Sequence, residues 1–324
     1  MNWILHYRAS DDKSFGRFSE RAENLGFNMM LLGESQLFYA DIYISMVLAA
    51  LNTSRMKIGP GVTNLKTRDL TVTARGMISL NKISGGRAVL GLGSGDTALA
   101  RIGQKGSAVS EVERGVKILK SLVSGEVTLY NGLDVKMGDG RHSPIPIYLS
   151  AEGPRMLELA ARVADGIIVG SGITKDVLTW TQAHLQKGFT ARRAHRPDIV
   201  LALACCIDED REKAGRLVRL RLANRARHAL AASIESVPMK HLPEVKTLLE
   251  NFNVFGSVDN PRNTRLISDY IVNRFCVYGT PEDCVSKFKE IKEMGVSSVM
   301  LDFRRDIISE QMELFAKRVL PKVE

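Results

Sequence analysis

Eight short apolar runs, each four to six residues long, recur along the chain, and helical periodicity fills most of the gaps between them. The runs are Trp3–Tyr7, Asn28–Leu32, Met56–Gly59, Arg87–Leu92, Ile145–Leu149, Gly166–Val169, Ile199–Ala204 and Ser297–Leu301. Most are apolar almost throughout, the pattern of parallel strands covered on both faces. Strand and helix alternating eight times is the arrangement of a (β/α)8 TIM barrel. A doubly wound open sheet is the alternative, but it usually carries a glycine-rich turn after its first strand. Here that position reads Arg8-Ala9-Ser10-Asp11-Asp12 and holds no glycine.

The helices carry their own stop and start signals. Asp41 and Asp69 stand where N-caps belong, Gly26 and Gly125 where helices close, and Pro154 at a first helical turn. Thr280-Pro281-Glu282-Asp283 opens another helix. Two intervals are long. Gly95 to Pro144 holds one long helix and a hairpin-like stretch, Val127–Met137. Cys205 to Val296 shows several helices and no clear strand, so we expect a helical insertion after strand seven, about residues 207–280. At 324 residues the chain is long enough for one barrel domain, 1–324, with that insertion.

Composition excludes several classes. With 44% hydrophobic and 25% charged residues the chain is an ordinary globular one, not disordered and not a disulfide scaffold. The apolar run Ile42–Leu51 is far too short to span a bilayer, and the start has no basic region ahead of an apolar stretch. We therefore expect a cytoplasmic protein with no membrane association. Cys205, Cys206, Cys276 and Cys284 form no CxxC spacing; reduced thiols in or near a core are expected, and no metal site. The net charge of +9 is partly local. Arg192, Arg193 and Arg196 lie close together, and Arg211, Lys213, Arg216, Arg219, Arg221, Arg225 and Arg227 crowd one predicted helix. No aromatics interleave with them, so nucleic acid is not the expected partner. A solvated helix, or a rim that attracts an anionic ligand, fits better.

In such a barrel the chemistry sits just after the C-terminal ends of the strands. His6 ends strand one, as a rim histidine bonded to backbone or as a proton donor. Glu34 follows strand two; a carboxylate there is either a site group or a partner in a salt bridge. Gly59-Pro60-Gly61-Val62-Thr63-Asn64 follows strand three, a loop able to bring backbone close to a ligand. Gly91-Leu92-Gly93-Ser94-Gly95-Asp96 follows strand four; it is not a dinucleotide fingerprint in the required place, but could lie against a flat ligand. Ala151-Glu152-Gly153 and Gly170-Ser171 each lead into a helix, and two such starts side by side suit one phosphate.

These segments resemble the bacterial-luciferase-like flavin and deazaflavin oxidoreductases. The resemblance rests on Ala22–Phe27, Ile58–Thr67, Ile83–Asp96, Pro146–Gly166 and Gly279–Asp283, and spans nearly the whole chain. It is closest in pattern to the coenzyme F420-dependent branch that includes methylenetetrahydromethanopterin reductase. The resemblance implies a flat cofactor, coenzyme F420 or FMN, in the barrel mouth. Its ring would rest on a bulge with a non-proline cis peptide at Gly61-Val62, joined by Thr63, Asn64, Gly95 and Asp96. Its phosphate would meet Ala151, Glu152, Gly153, Gly170 and Ser171. Members usually form dimers. The branch typically shows Asp-His after strand two and an acid on strand one, where this chain has Glu34-Ser35 and Leu5-His6. Those departures point to a different substrate.

The expected activity is hydride transfer between coenzyme F420 and a small organic substrate, with Glu34 and His6 as the catalytic candidates. An FMN-dependent monooxygenase, taking reduced flavin from a partner reductase, is the alternative within enzymes. A non-catalytic flavin-binding protein is the alternative outside them.

Overall fold

The computed structural model describes residues 1–324 except 139, 141, 191–195, 221, 254–259 and 324, and of Asp96 and Thr97 the backbone only. Eleven strands are described: β1 (Asn2–Arg8), β2 (Met29–Gly33), β3 (Lys57–Pro60), β4 (Leu90–Leu92), β5 (Thr128–Tyr130), β6 (Leu133–Val135), β7 (Ile147–Ala151), β8 (Gly166–Val169), β9 (Asp198–Ile207), β10 (Cys276–Gly279) and β11 (Ser298–Phe303). The main sheet runs β3-β2-β1-β11-β9-β8-β7-β4, every pair parallel. β5 and β6 form the separate antiparallel hairpin.

Between β3 and β4 the sheet closes on two single bridges, Ile58 to Ala88 and Thr63 to Leu92. Glycine makes this seam possible. A Cβ on Gly59 would lie 1.8 Å from the Val89 carbonyl oxygen, and one on Gly91 would lie 2.1 Å from that of Pro60. The result is the eight-stranded (β/α)8 barrel expected from the alternation. Its interior is filled by one face of the strands, among them Ile4, Met29, Leu31, Val200 and Met300. The other face packs outward under the helices.

The outer helices begin with α1 (Phe15–Asn24), α2 (Ile42–Leu51), α3 (Leu70–Ile83), the short α4 (Asp96–Ala100), α5 (Val109–Ser124), α6 (Pro154–Val163) and α7 (Lys175–Thr190). Asp41 caps α2 by accepting from the N–H groups of Tyr43 and Ile44, and Asp69 caps α3 by accepting from Thr71. None of the described helices is long and apolar enough to cross a membrane.

After β9 come α8 (Arg211–Arg219), α9 (Leu222–Ala232), α10 (Leu242–Asn251), α11 (Pro261–Thr264), α12 (Asp269–Phe275), then β10 and α13 (Pro281–Glu293). Two expectations need correcting here. The interval is not free of strand: β10 lies parallel along the C-terminal half of β9, Cys276 opposite Ala204. The arginine-rich run is not one helix but two, α8 and α9, and the two bury their apolar residues in a core of their own with α10 and α12. Arg192, Arg193 and Arg221 lie outside the described residues. All four cysteines are free and buried, as expected.

Candidate active site

The β1–β11 ladder sets His6 opposite Asp302 at the open end of the barrel. His6 Nε2 lies 3.0 Å from the Gly61 carbonyl oxygen. A carbonyl can only accept, so Nε2 carries a proton in this contact, and Nδ1 is the ring nitrogen left to exchange one. That Nδ1 is 3.7 Å from Asp302 Oδ1. Gly61 opens the bulge after β3, and its peptide to Val62 is cis, as the resemblance implies. Glycine is required at 61, because a Cβ would sit 2.5 Å from that of Leu31. The bulge is pinned to the β4 loop: Thr63 N–H donates to Gly91 (3.0 Å) and Gly93 N–H to Thr63 (2.9 Å). Asn64 is buried, and its Oδ1 accepts from the N–H groups of Lys66 and Thr67, which holds the next turn.

Glu34, just past β2, is ion-paired with Arg68 Nη1, and Arg68 Nη2 reaches Asp41 at 2.9 Å. The Glu34 side chain is 4% exposed. Its Oε2 is buried without a hydrogen-bond partner, although the residue borders the cavity. A buried carboxylate oxygen with no donor is an open valence for a ligand N–H or O–H.

On the far side, Gly153 is the N-cap position of α6 and Pro154 its first residue. Ser171 Oγ donates to the Glu152 carbonyl (2.9 Å), tying the β7 and β8 loops together. The Glu152 carboxylate turns toward Gly170, where a Cβ would meet its Oε1 at 2.7 Å. It accepts from Ser150 Oγ (3.1 Å) and lies 3.7 Å from His228 Nε2.

These groups enclose a cavity of about 330 Å³ at the C-terminal mouth. His6, Glu34, Gly61, Val62, Thr63 and Asn64 border it on one side. Gly95, Glu152 and Gly170 border it on the other. Ala151, Gly153 and Ser171 stand behind that wall instead of lining it, and the Asp96 side chain lies outside what the structure describes. The floor is apolar, with Ile168, Ala202 and Met300.

A family model described as luciferase-like monooxygenase matches residues 5–298. The chain belongs to the luciferase-like monooxygenase family. It is thus an oxidoreductase. Over 303 residues it is 31% identical to 5,10-methylenetetrahydromethanopterin reductase of Archaeoglobus fulgidus, covering 88% of each chain. It is 24% identical to F420-dependent glucose-6-phosphate dehydrogenase of Amycolatopsis mediterranei, over 86% of this chain and 82% of that one. Among solved structures, the coenzyme F420 dependent tetrahydromethanopterin reductase from Methanopyrus kandleri superposes with a TM-score of 0.81 at 21% identity, covering 100% and 99% of the two chains.

In this luciferase-like barrel the roof over the cavity is what sequence reasoning missed. Helix α9 presents Asn224, Arg225, His228 and Ala229 to it. Their spacing, i, i+1, i+4 and i+5, is one helical face. Arg274 of α12 fixes this roof to the β8 loop. Its side chain is fully buried, donating to the Ser171 carbonyl (Nε, 3.0 Å), to Ser233 Oγ (3.1 Å) and Ser236 Oγ (2.6 Å), and to Tyr270 Oη (2.8 Å). Asp302 and Arg68 were also missed.

Proposed function

We propose that the protein is a coenzyme F420-dependent oxidoreductase that moves a hydride between the deazaflavin and a small organic substrate. The observation that carries this reading is the cavity wall made by the Gly61–Asn64 bulge pinned against the β4 loop at the barrel mouth. Relatives named as F420-dependent enzymes support it.

The residues present fit a flat polar ring. The buried Glu34 Oε2 lacks a donor that such a ring or its substrate would supply. N–H groups of the first turn of α6 would hold the phosphate, with the His228 ring 3.7 Å from the Glu152 carboxylate beside them. When bound, the deazaflavin supplies a carbon that gives or accepts hydride. The protein's part is orientation and proton handling. His6, held by Gly61 at Nε2, can take up or release a substrate proton at Nδ1 beside Asp302. The apolar floor keeps water from the reacting face.

We also read the protein as a homodimer. Helix α2 carries apolar side chains on its outer side, with Ile44 56% and Leu51 67% exposed, and Val72 of the neighbouring α3 is 56% exposed. Apolar side chains open to water on adjoining helices support a face covered by a second copy.

The test is titration of the purified protein with coenzyme F420 and, separately, with FMN, read by visible absorption. F420 binding, and its reversible reduction when alcohols, aldehydes or imines are screened as substrates, is the expected outcome. Binding of FMN alone, with oxygen consumed from its reduced form, overturns the reading.

A further inference from the structure

A second pocket, about 190 Å³, opens beside the main cavity and shares His6, Asn224, Arg225 and Asp302 with it. It lies at the ends of β1, β9 and β11, away from the loops of β7 and β8. Four arginines line it: Arg8 at the end of β1, Arg225 on α9, and Arg304 and Arg305 just after β11. Asp302 is the one carboxylate among the described residues of its lining. Its apolar wall comes from Leu217, Val218, Leu222 and Phe303.

The arginines differ in how their charge is answered. Arg304 is held by Asp306 through two bonds, 2.7 and 2.6 Å. On α8, Arg211 pairs with Asp283, Lys213 with Asp208 and Arg219 with Asp269. Arg225, on α9, has no carboxylate within ion-pair distance among the described residues, and it is half-buried at the junction of the two pockets. Arg305 donates to the Tyr39 hydroxyl (2.5 Å) and lies over its ring, both neutral contacts. Arg8 likewise has no ion-pair partner among the described residues. Partly desolvated guanidinium groups facing one small pocket lower the energy of an anion placed between them.

We propose that this side pocket binds an anionic group, a carboxylate or a phosphate ester, carried by the substrate itself, with Arg225 and Arg305 as its specificity-determining contacts. The inference rests on the reading of the main cavity as the cofactor's seat. The reacting carbon then lies by His6, and the anion extends past Asp302 under α9. A neutral substrate of the same size would leave the guanidinium groups of Arg225 and Arg305 in the lining without an anion to answer them, so anionic substrates are selected.

The experiment uses the intact protein with inorganic phosphate as probe, titrated calorimetrically at constant ionic strength, with and without bound coenzyme F420. The expected result is saturable phosphate binding that persists in the F420-loaded protein. Its affinity falls at least tenfold in Arg225→Gln and in Arg305→Gln, and stays unchanged in Arg211→Gln. Equal phosphate affinity in wild type, Arg225→Gln and Arg305→Gln overturns the proposal. So does loss of phosphate binding on F420 loading together with weaker F420 binding in the same variants, since the pocket would then take the cofactor's own anion. If F420 fails to bind at all, only the cofactor reading falls; the phosphate titration on cofactor-free variants still decides the pocket.

Discussion

The ring of His6 connects two backbone segments that the sequence sets far apart, the carbonyl of Gly61 on Nε2 at 3.0 Å and the carboxylate of Asp302 near Nδ1 at 3.7 Å. Since Nε2 must donate to the carbonyl, proton exchange with a substrate is restricted to Nδ1, on the side where Asp302 can stabilise the imidazolium.

His6→Asn removes that nitrogen while leaving a polar side chain at the rim. We expect turnover to fall by about 100-fold or more, with coenzyme affinity within threefold of wild type. Asp302→Asn should fall in the same direction by less. A His6→Asn enzyme with unchanged turnover, measured at saturating substrate, removes the histidine from the proton path.

Glu34→Gln keeps the shape of the side chain and discharges it. Arg68 retains Asp41, so the loss of stability should be about 1–3 kcal/mol, well short of leaving a buried cation alone. Coenzyme affinity and turnover should drop together, by roughly tenfold to a hundredfold. A lower melting temperature with full activity makes Glu34 a purely structural partner of Arg68.

The β3–β4 seam gives a test of the fold alone. Gly91→Ala places a methyl group 2.1 Å from the Pro60 carbonyl, which is backbone and cannot step aside. We expect at least about 3 kcal/mol of destabilisation or an insoluble product. Gly140→Ala, where a Cβ meets nothing within 4 Å, should leave the denaturant midpoint where it is.

At the opposite end of the barrel, Glu23 clamps the turn before β3. Burial would raise its carboxyl, but the N–H groups of Met56, Arg55 and Ser54 and the Ser54 hydroxyl outweigh this and hold the pKa at about 2 instead of the ordinary 4.5. A depressed folded-state pKa stabilises above the ordinary value and loses that contribution as pH falls toward 2. The contribution is on the order of 2–3 kcal/mol at neutral pH. Glu23→Gln should therefore unfold at lower urea than wild type at pH 7. The gap should close between pH 4.5 and 2, the window set by the two values; a gap that does not change with pH contradicts this origin.

For the dimer, Ile44→Glu with Leu51→Glu should shift the sedimenting species from two copies to one with the barrel still folded. An unchanged mass in the double variant places any contact elsewhere.

Much of this architecture is legible in the residues. Near-continuous apolar runs can only be covered on both faces, which is why the strands and the loops that follow them were readable, down to the cap at Asp69; the bulge at Gly61 came from the family resemblance alone. β10 escaped because four residues beside a helix carry no period, and because its pairing with β9 is settled by the insertion's own core. Arg225 and His228 escaped for a different reason. Charges all round a helix conceal which face is turned inward, and the answer here depends on α9 folding back over the barrel. Asp302 is hidden in an apolar strand and acquires meaning only through its register with His6.

Arg274 has one more consequence. Lifting α9 and its neighbours off the barrel would tear the bond from Arg274 Nε to the Ser171 carbonyl and the one from the Ile173 N–H to the Arg274 carbonyl, stranding a fully buried guanidinium with no carboxylate among its bonded partners. The roof and the β8 loop therefore travel as one piece, while the facing β2 and β4 loops are latched by a bond from Gln36 to the Ala98 carbonyl (3.0 Å) and by Arg101 lying over the Phe38 ring.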